Sequence, residues 1–85
     1  MYTGEAVEAI KDENLLAQQK HTVWPSDPIH ASAILNEEAG ELTQACIDFY
    51  FNHQPSDYDR MREEAIQVGA MALRFLENLE RYHRR

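Results

Sequence analysis

All three prolines of this 85-residue chain fall in two short stretches, and their placement dictates most of the fold. Proline lacks the N–H that a helix interior requires. Trp24-Pro25-Ser26-Asp27-Pro28 and His53-Gln54-Pro55-Ser56 therefore interrupt helix, and the three segments around them read as helices. The first is expected from about Thr3 to Lys20. Thr3 is its expected cap, and Glu5 and Glu8 suit the positive end of the helix dipole. The second is expected from Pro28 to about Asn52, with Asp27 as N-cap and Pro28 in the first position, where the missing N–H costs nothing. The third starts after Ser56 as cap, with Asp57 and Asp59 in its first turn. It is expected to reach about His83, where Arg81, Arg84 and Arg85 suit a helix C-terminus. No repeat and no strand-like alternation competes, so residues 1–85 are expected to form one all-α domain.

A chain this short hides only roughly 60% of the surface it exposes when unfolded. Such chains often draw further stability from disulfides, metals or oligomerisation. The single cysteine, Cys46, excludes an intrachain disulfide framework and a multi-cysteine zinc site, and its position reads as a small core residue. Eight basic residues against 15 acidic ones leave a charge of −7, which argues against nucleic-acid binding. An acidic protein can still hold phosphates if a metal ion intervenes. No apolar run approaches the ~20 residues of a membrane span. Met1-Tyr2-Thr3-Gly4-Glu5 has neither a basic region nor an apolar stretch, so it does not read as a signal peptide, and a cytoplasmic location is expected.

On a helical wheel, Ala31, Ile34, Leu35, Leu42, Ala45, Cys46 and Phe49 of the second helix fall within roughly 60° of one direction. Glu38 lies inside this apolar arc, Glu41 at its edge and Glu37 further round. On the third helix Ala65, Val68, Ala72, Phe75, Leu76 and Leu79 cluster about Met61, with Glu64 at the edge and Gln67 beside it. Each helix thus carries a carboxylate on or next to its core-facing stripe. Burying an isolated carboxylate costs several kcal/mol or more, so such groups need a cation, a partner or water. Arg60 and Arg62 lie elsewhere on the wheel, and Arg74 is two turns from Gln67. Acidic groups converging without an internal cation suit a hard divalent ion. Glu38 and Glu41 are three apart, as are Glu64 and Gln67, and an antiparallel pair of helices would bring the two sets face to face. Surface solvation is the competing reading of any such glutamate string.

At these positions the sequence resembles the MazG-like, all-α nucleoside triphosphate pyrophosphohydrolase superfamily, in its short phage and bacterial form. That family's motif is EExxE, a spacer, then ExxD. Here it reads Glu37-Glu38-Ala39-Gly40-Glu41 and Glu64-Ala65-Ile66-Gln67. Trp24-Pro25 and the following His30 resemble the family's tryptophan-proline segment and histidine. The resemblance covers roughly Lys20 to Leu79. It implies Mg²⁺-dependent hydrolysis (Mn²⁺ as a substitute) of ribo- or deoxynucleoside triphosphates between the α- and β-phosphates. It implies Glu38, Glu41 and Glu64 as metal ligands, and Glu37 as a group further out or the one that orients or deprotonates water. Gln67 stands where the family has Asp; it offers a carbonyl oxygen without charge, so Mg²⁺ should bind more weakly.

Other residues have two readings each. Trp24 could stack on a base or plug the connector. Lys20, Arg60 and Arg62 could reach phosphates or remain solvated. His30 could meet substrate or pack. Gly40 and Gly69 cost roughly 1 kcal/mol each inside a helix relative to alanine, which suggests close helix–helix approach within or between subunits. Ile47, Tyr50, Phe51, Ile66 and Leu73 lie off the main apolar arcs. They predict a homodimer in which paired helices form a four-helix bundle, or a tetramer built from it. The rival to an enzyme is a non-catalytic helical oligomer that binds nucleotide or protein through a degraded site.

Overall fold

The computed structural model describes residues 1–84, so Arg85 lies outside the described residues. The chain is all-α: α1 (Thr3–Lys20), α2 (Pro28–Asn52), α3 (Asp57–Glu77) and a short 3-10 helix, Leu79–Arg81. Among the described residues there is no strand.

The second helix starts as expected. The Asp27 carboxylate accepts from the Ile29 N–H at 2.9 Å, and Pro28 occupies the first turn. The first and third start differently. Tyr2, not Thr3, precedes α1, and its N–H donates to Glu5 Oε1 at 3.1 Å, so the acid three residues in closes the end. Ser56 already has helical backbone angles (φ −73°, ψ −10°) and makes no capping bond through its side chain. Buried Asp57 does that work instead, accepting from the Gln54 N–H at 2.7 Å and pinning the turn.

Helix α3 also ends earlier than expected, at Glu77 rather than near His83. Asn78 donates its side-chain N–H to the Arg74 carbonyl at 2.9 Å, taking up a backbone acceptor at the helix end. Beyond the 3-10 helix, Tyr82 packs on Phe75 at 4.8 Å between ring centroids. The His83 N–H then donates to the Ser26 carbonyl at 2.9 Å. Arg81 and Arg84 therefore lie past α3, and Arg74 is the basic residue of its last turn.

Helices α1 and α2 pack on α3 and not on each other. Asp48 meets Arg60 near the turn while Glu38 and Glu41 meet Glu64 further along, so α2 and α3 run antiparallel. On the other side Ile10 lies at Gly69 and Asn14 at Glu77, so α1 follows α3 in the same sense. Gly69 is the close approach: a Cβ there would stand 2.8 Å from Ile10 Cδ1. At Gly40 a Cβ would meet nothing within 4 Å, so that glycine serves no contact inside the chain.

The core is thin. Its only buried apolar residues, among those described, are Ala31, Ala45 and Ala70, and no large side chain is fully buried. Cys46, expected in the core, is exposed, as are Leu76 and Leu79. Each of α1 and α2 covers one strip of α3, and the flanks of every apolar arc stay open. Ile29, Tyr50 and Phe51 are more than 70% exposed (77%, 79% and 72%). No described helix is long and apolar enough to cross a membrane.

The starts of α2 and α3 give a direct test. Asp27→Ala should cost roughly 0.5–2 kcal/mol in urea unfolding. Asp57→Ala should cost at least as much, while Ser56→Ala should be near neutral, all compared at one protein concentration.

Candidate metal centre

Where α2 crosses α3, one carboxylate oxygen from each of Glu38, Glu41 and Glu64 lies within 4.8 Å of the others. Glu38 and Glu41 come from one face of α2 because they are three residues apart. Glu64 enters from α3. Glu38 and Glu64 are half-buried and Glu41 is exposed.

The cluster is not neutralised by the chain. Glu38 Oε2 and Glu64 Oε2 are buried and have no hydrogen-bond donor. The ion pairs among the described residues are Lys11–Glu8, Arg60–Asp48 and Arg62–Asp59, and none involves the three glutamates. Leaving a buried acceptor unsatisfied carries the full desolvation penalty of that group. Burial is the main cause that pushes the Glu38 carboxyl above the usual carboxylate range, and the charges of Glu41 and Glu64 add to it. Glu64 is pushed up the same way, by burial first and then by Glu41, against an opposing pull from Arg60. Two orphaned oxygens inside an all-oxygen, all-acid set fit a hard divalent cation.

Arg60 is the nearest candidate neutraliser, and Asp48 holds it. That hydrogen bond is the main cause that lowers Asp48 and raises Arg60, with the Gln44 amide also donating to Asp48 at 2.9 Å.

A cleft of about 560 Å³ opens beside the cluster, between the end of α1, the Trp24 connector and the α2–α3 pair. Lys20, Trp24, Glu37, Glu38 and Gln67 all line it, so it gathers five of the residues singled out in the sequence. Gln67 is half-buried and Glu37 exposed. His30 and Arg60 do not line this cleft, and His30 is exposed rather than packed. Trp24 is tied into the connector: its indole N–H donates to Tyr82 Oη at 2.8 Å, and the Arg74 guanidinium lies over its ring at 4.9 Å.

Arg74, set aside in the sequence as lying two turns from Gln67, belongs to this cleft. It is 5% exposed, lines the cleft and donates to the His21 carbonyl at 2.6 Å. Its signal was present: seven residues after Gln67 is nearly two full turns, which places a cation on the same face. No protein-family model matches this sequence, and neither a curated protein nor a solved structure matches it.

The raised carboxyls set a pH dependence with a defined sign. A carboxyl whose folded value is raised contributes stability that is present below the ordinary value, 4.5, and lost as pH rises through the folded value. In EDTA at neutral pH, Glu64→Gln should therefore melt above the unsubstituted protein, and the gap should close as pH falls toward the carboxylate range. Divalent cation should reverse the order. At about 100 times its Kd, Mg²⁺ adds about 2.7 kcal/mol, roughly 10–20 °C for a domain of this size, and Glu64→Gln should lose most of that gain.

Proposed function

We propose that this chain is a Mg²⁺-dependent nucleotide pyrophosphohydrolase of the MazG-like type, cleaving nucleoside triphosphates to monophosphate and pyrophosphate. The observation that carries this reading is the convergence of Glu38, Glu41 and Glu64 with two buried oxygens left unpartnered. Those three are the metal-ligand positions of the EExxE and ExxD-like strings, whose fourth acid is Glu37.

Glu38, Glu41 and Glu64 would hold the ion, with Mn²⁺ an acceptable substitute. When bound, Mg²⁺ supplies the positive charge that a −7 protein needs to accept a polyphosphate, and it polarises the phosphoryl oxygens. Glu37, exposed on the wall of the adjoining cleft, would orient water or accept its proton. Lys20, on the same cleft, carries a charge toward the phosphates. Gln67 offers a neutral oxygen one turn from Glu64. With Arg74 over its ring, Trp24 has at most its other face for a base. The reading places the protein in the cytoplasm.

Gln67 also favours a second reading, a helical module that binds nucleotide without hydrolysing it, because a neutral group at that position weakens the ion's hold. Pyrophosphate release from ribo- and deoxynucleoside triphosphates, with Mg²⁺ and with EDTA, separates the two. An enzyme should need Mg²⁺ and lose more than about 100-fold in turnover on Glu38→Gln. Glu37→Gln should lose turnover while keeping Mg²⁺ affinity. Gln67→Asp should tighten Mg²⁺ several-fold by adding a charged ligand. A folded protein that binds Mg²⁺ but releases no pyrophosphate would sink the hydrolase in favour of the binding module.

The functional unit in this reading is a homodimer built through α2. Ile29, Ala33, Gly40, Thr43, Ile47 and Tyr50 are all exposed and follow steps of three, four or seven residues, a coiled-coil seam. The seam is self-complementary when two copies run antiparallel about Gly40. Ala33 of one copy then faces Ile47 of the other, small against large, and Ile29 lies at the level of Tyr50 and Phe51. The open space at Gly40 allows the close crossing. Such pairing gives the four-helix bundle that supplies the core a single chain lacks, and a tetramer needs one more apolar face. Analytical ultracentrifugation should find a dimer that Ile47→Glu converts to monomer or unfolds. A stable wild-type monomer at high micromolar concentration would refute it.

A further inference from the structure

A second cleft, of about 450 Å³, lies on the far side of Arg74 from the acidic cluster, between the end of α1, the Trp24–Ser26 connector and the 3-10 helix. We propose that this cleft is a metal-independent binding site for a small phosphate-type oxyanion, held by the Arg74 and Arg81 guanidinium groups. It does not rest on the hydrolase reading, since it needs neither the ion nor the acidic cluster.

The first argument is Arg74 itself. Its residue exposure is 5%, yet no carboxylate among the described residues lies within ion-pairing distance. A guanidinium has five N–H donors in a rigid fork. The guanidinium of Arg74 donates to the His21 carbonyl, and the Trp24 face provides its other support. A buried cation without a counter-ion is costly, and an anion relieves that cost.

The second argument is the lining. Arg81 also faces this cleft and makes no ion pair with a described residue. Among the described residues Glu77 is the only acid that lines it. Its Oε1 accepts from Asn14 at 2.7 Å and Gln18 at 3.2 Å, which holds that carboxylate toward α1. Two arginines against one committed glutamate make a positive cleft in a chain of net charge −7. Thr22 and Ser26 line the same space and add hydroxyl-bearing side chains to its wall.

Third, the cleft is braced. Tyr82 Oη accepts from the Trp24 indole and donates to the Phe75 carbonyl at 3.1 Å. The His83 N–H ties the chain after the 3-10 helix to Ser26. Arg81 is thereby set on a short 3-10 turn instead of a free tail. Two guanidinium groups and two hydroxyls match the several acceptor oxygens of a phosphate, and the volume leaves room for a second phosphoryl or a small ester group. The cleft at the metal centre differs in kind. Glu37 and Glu38 make it repel a bare anion until a cation is present.

The test is a titration of the full chain with inorganic phosphate and with pyrophosphate, in EDTA at constant ionic strength, followed by NMR of the arginine Nε–H and tryptophan indole signals. Saturable shifts of Arg74, Arg81 and Trp24 are expected, with pyrophosphate tighter than phosphate and chloride inert. Arg81→Gln, a surface change, should weaken binding roughly fivefold, while Glu38→Gln should leave it unchanged. The proposal is overturned by the absence of saturable shifts at millimolar anion, or by binding that ignores Arg81→Gln. Binding that appears only when Mg²⁺ replaces EDTA would overturn it too, and would assign the anion to the metal centre.

Discussion

Helix α3 carries packing on two sides at once, and both sites depend on that. Because α1 and α2 do not touch, every long-range contact between helices passes through α3. On one side Gly69 lets Ile10 approach; on the other Glu64 meets the α2 carboxylates. A helix shared in this way cannot bury a broad face against either neighbour. The buried apolar positions shrink to Ala31, Ala45 and Ala70, and the larger side chains are left half-covered. Such a chain stabilises itself weakly by apolar burial, which scales with area removed from water. The exposed α2 seam is where the missing area can be recovered.

The same crossing also concentrates cost. Glu38 and Glu64 sit where a larger apolar pair would stabilise the α2–α3 contact, and each keeps a buried oxygen without a donor. In the metal-free chain their mutual repulsion acts at the one contact that holds α2 in place. An ion that joined the carboxylates would also clamp α2 to α3, so its binding would be coupled to folding.

Much of this was legible in the sequence. The breaks at Pro25, Pro28 and Pro55 marked the helix ends beside them to within a residue or two, because proline acts locally. The acidic convergence was legible because spacing by three places Glu38 with Glu41, and a short turn forces their helix against Glu64. What the sequence hid came from contacts between distant segments. The end of α3 is decided by Asn78, Tyr82 and Ser26 together, not by the basic residues that favour a helix end. Cys46, Leu76 and Leu79 share an apolar arc with buried neighbours, but an arc gives direction without saying how much of it a partner covers. Arg74 was set aside for its distance from Gln67, and its acceptor, the His21 carbonyl, is a backbone group that no side-chain pattern reveals.

The three arginines of α3 explain why the acidic cluster keeps its charge. Arg60, one turn before Glu64, is the one whose charge pulls on that carboxylate. Arg60 is drawn off by Asp48, which takes a further bond from Gln44 and so holds its geometry. Arg62 is bound by Asp59, one turn back along its own helix. Arg74 shares a cleft with Glu38 but is turned onto the His21 carbonyl and the Trp24 ring. Each cation has a partner other than the glutamates, and those partners are themselves set by helix spacing or by the connector. Negative charge is thereby preserved at the α2–α3 crossing and positive charge is gathered beyond Trp24. A chain of only 85 residues can in this way hold an electronegative centre and an electropositive cleft on opposite sides of one tryptophan–arginine pair.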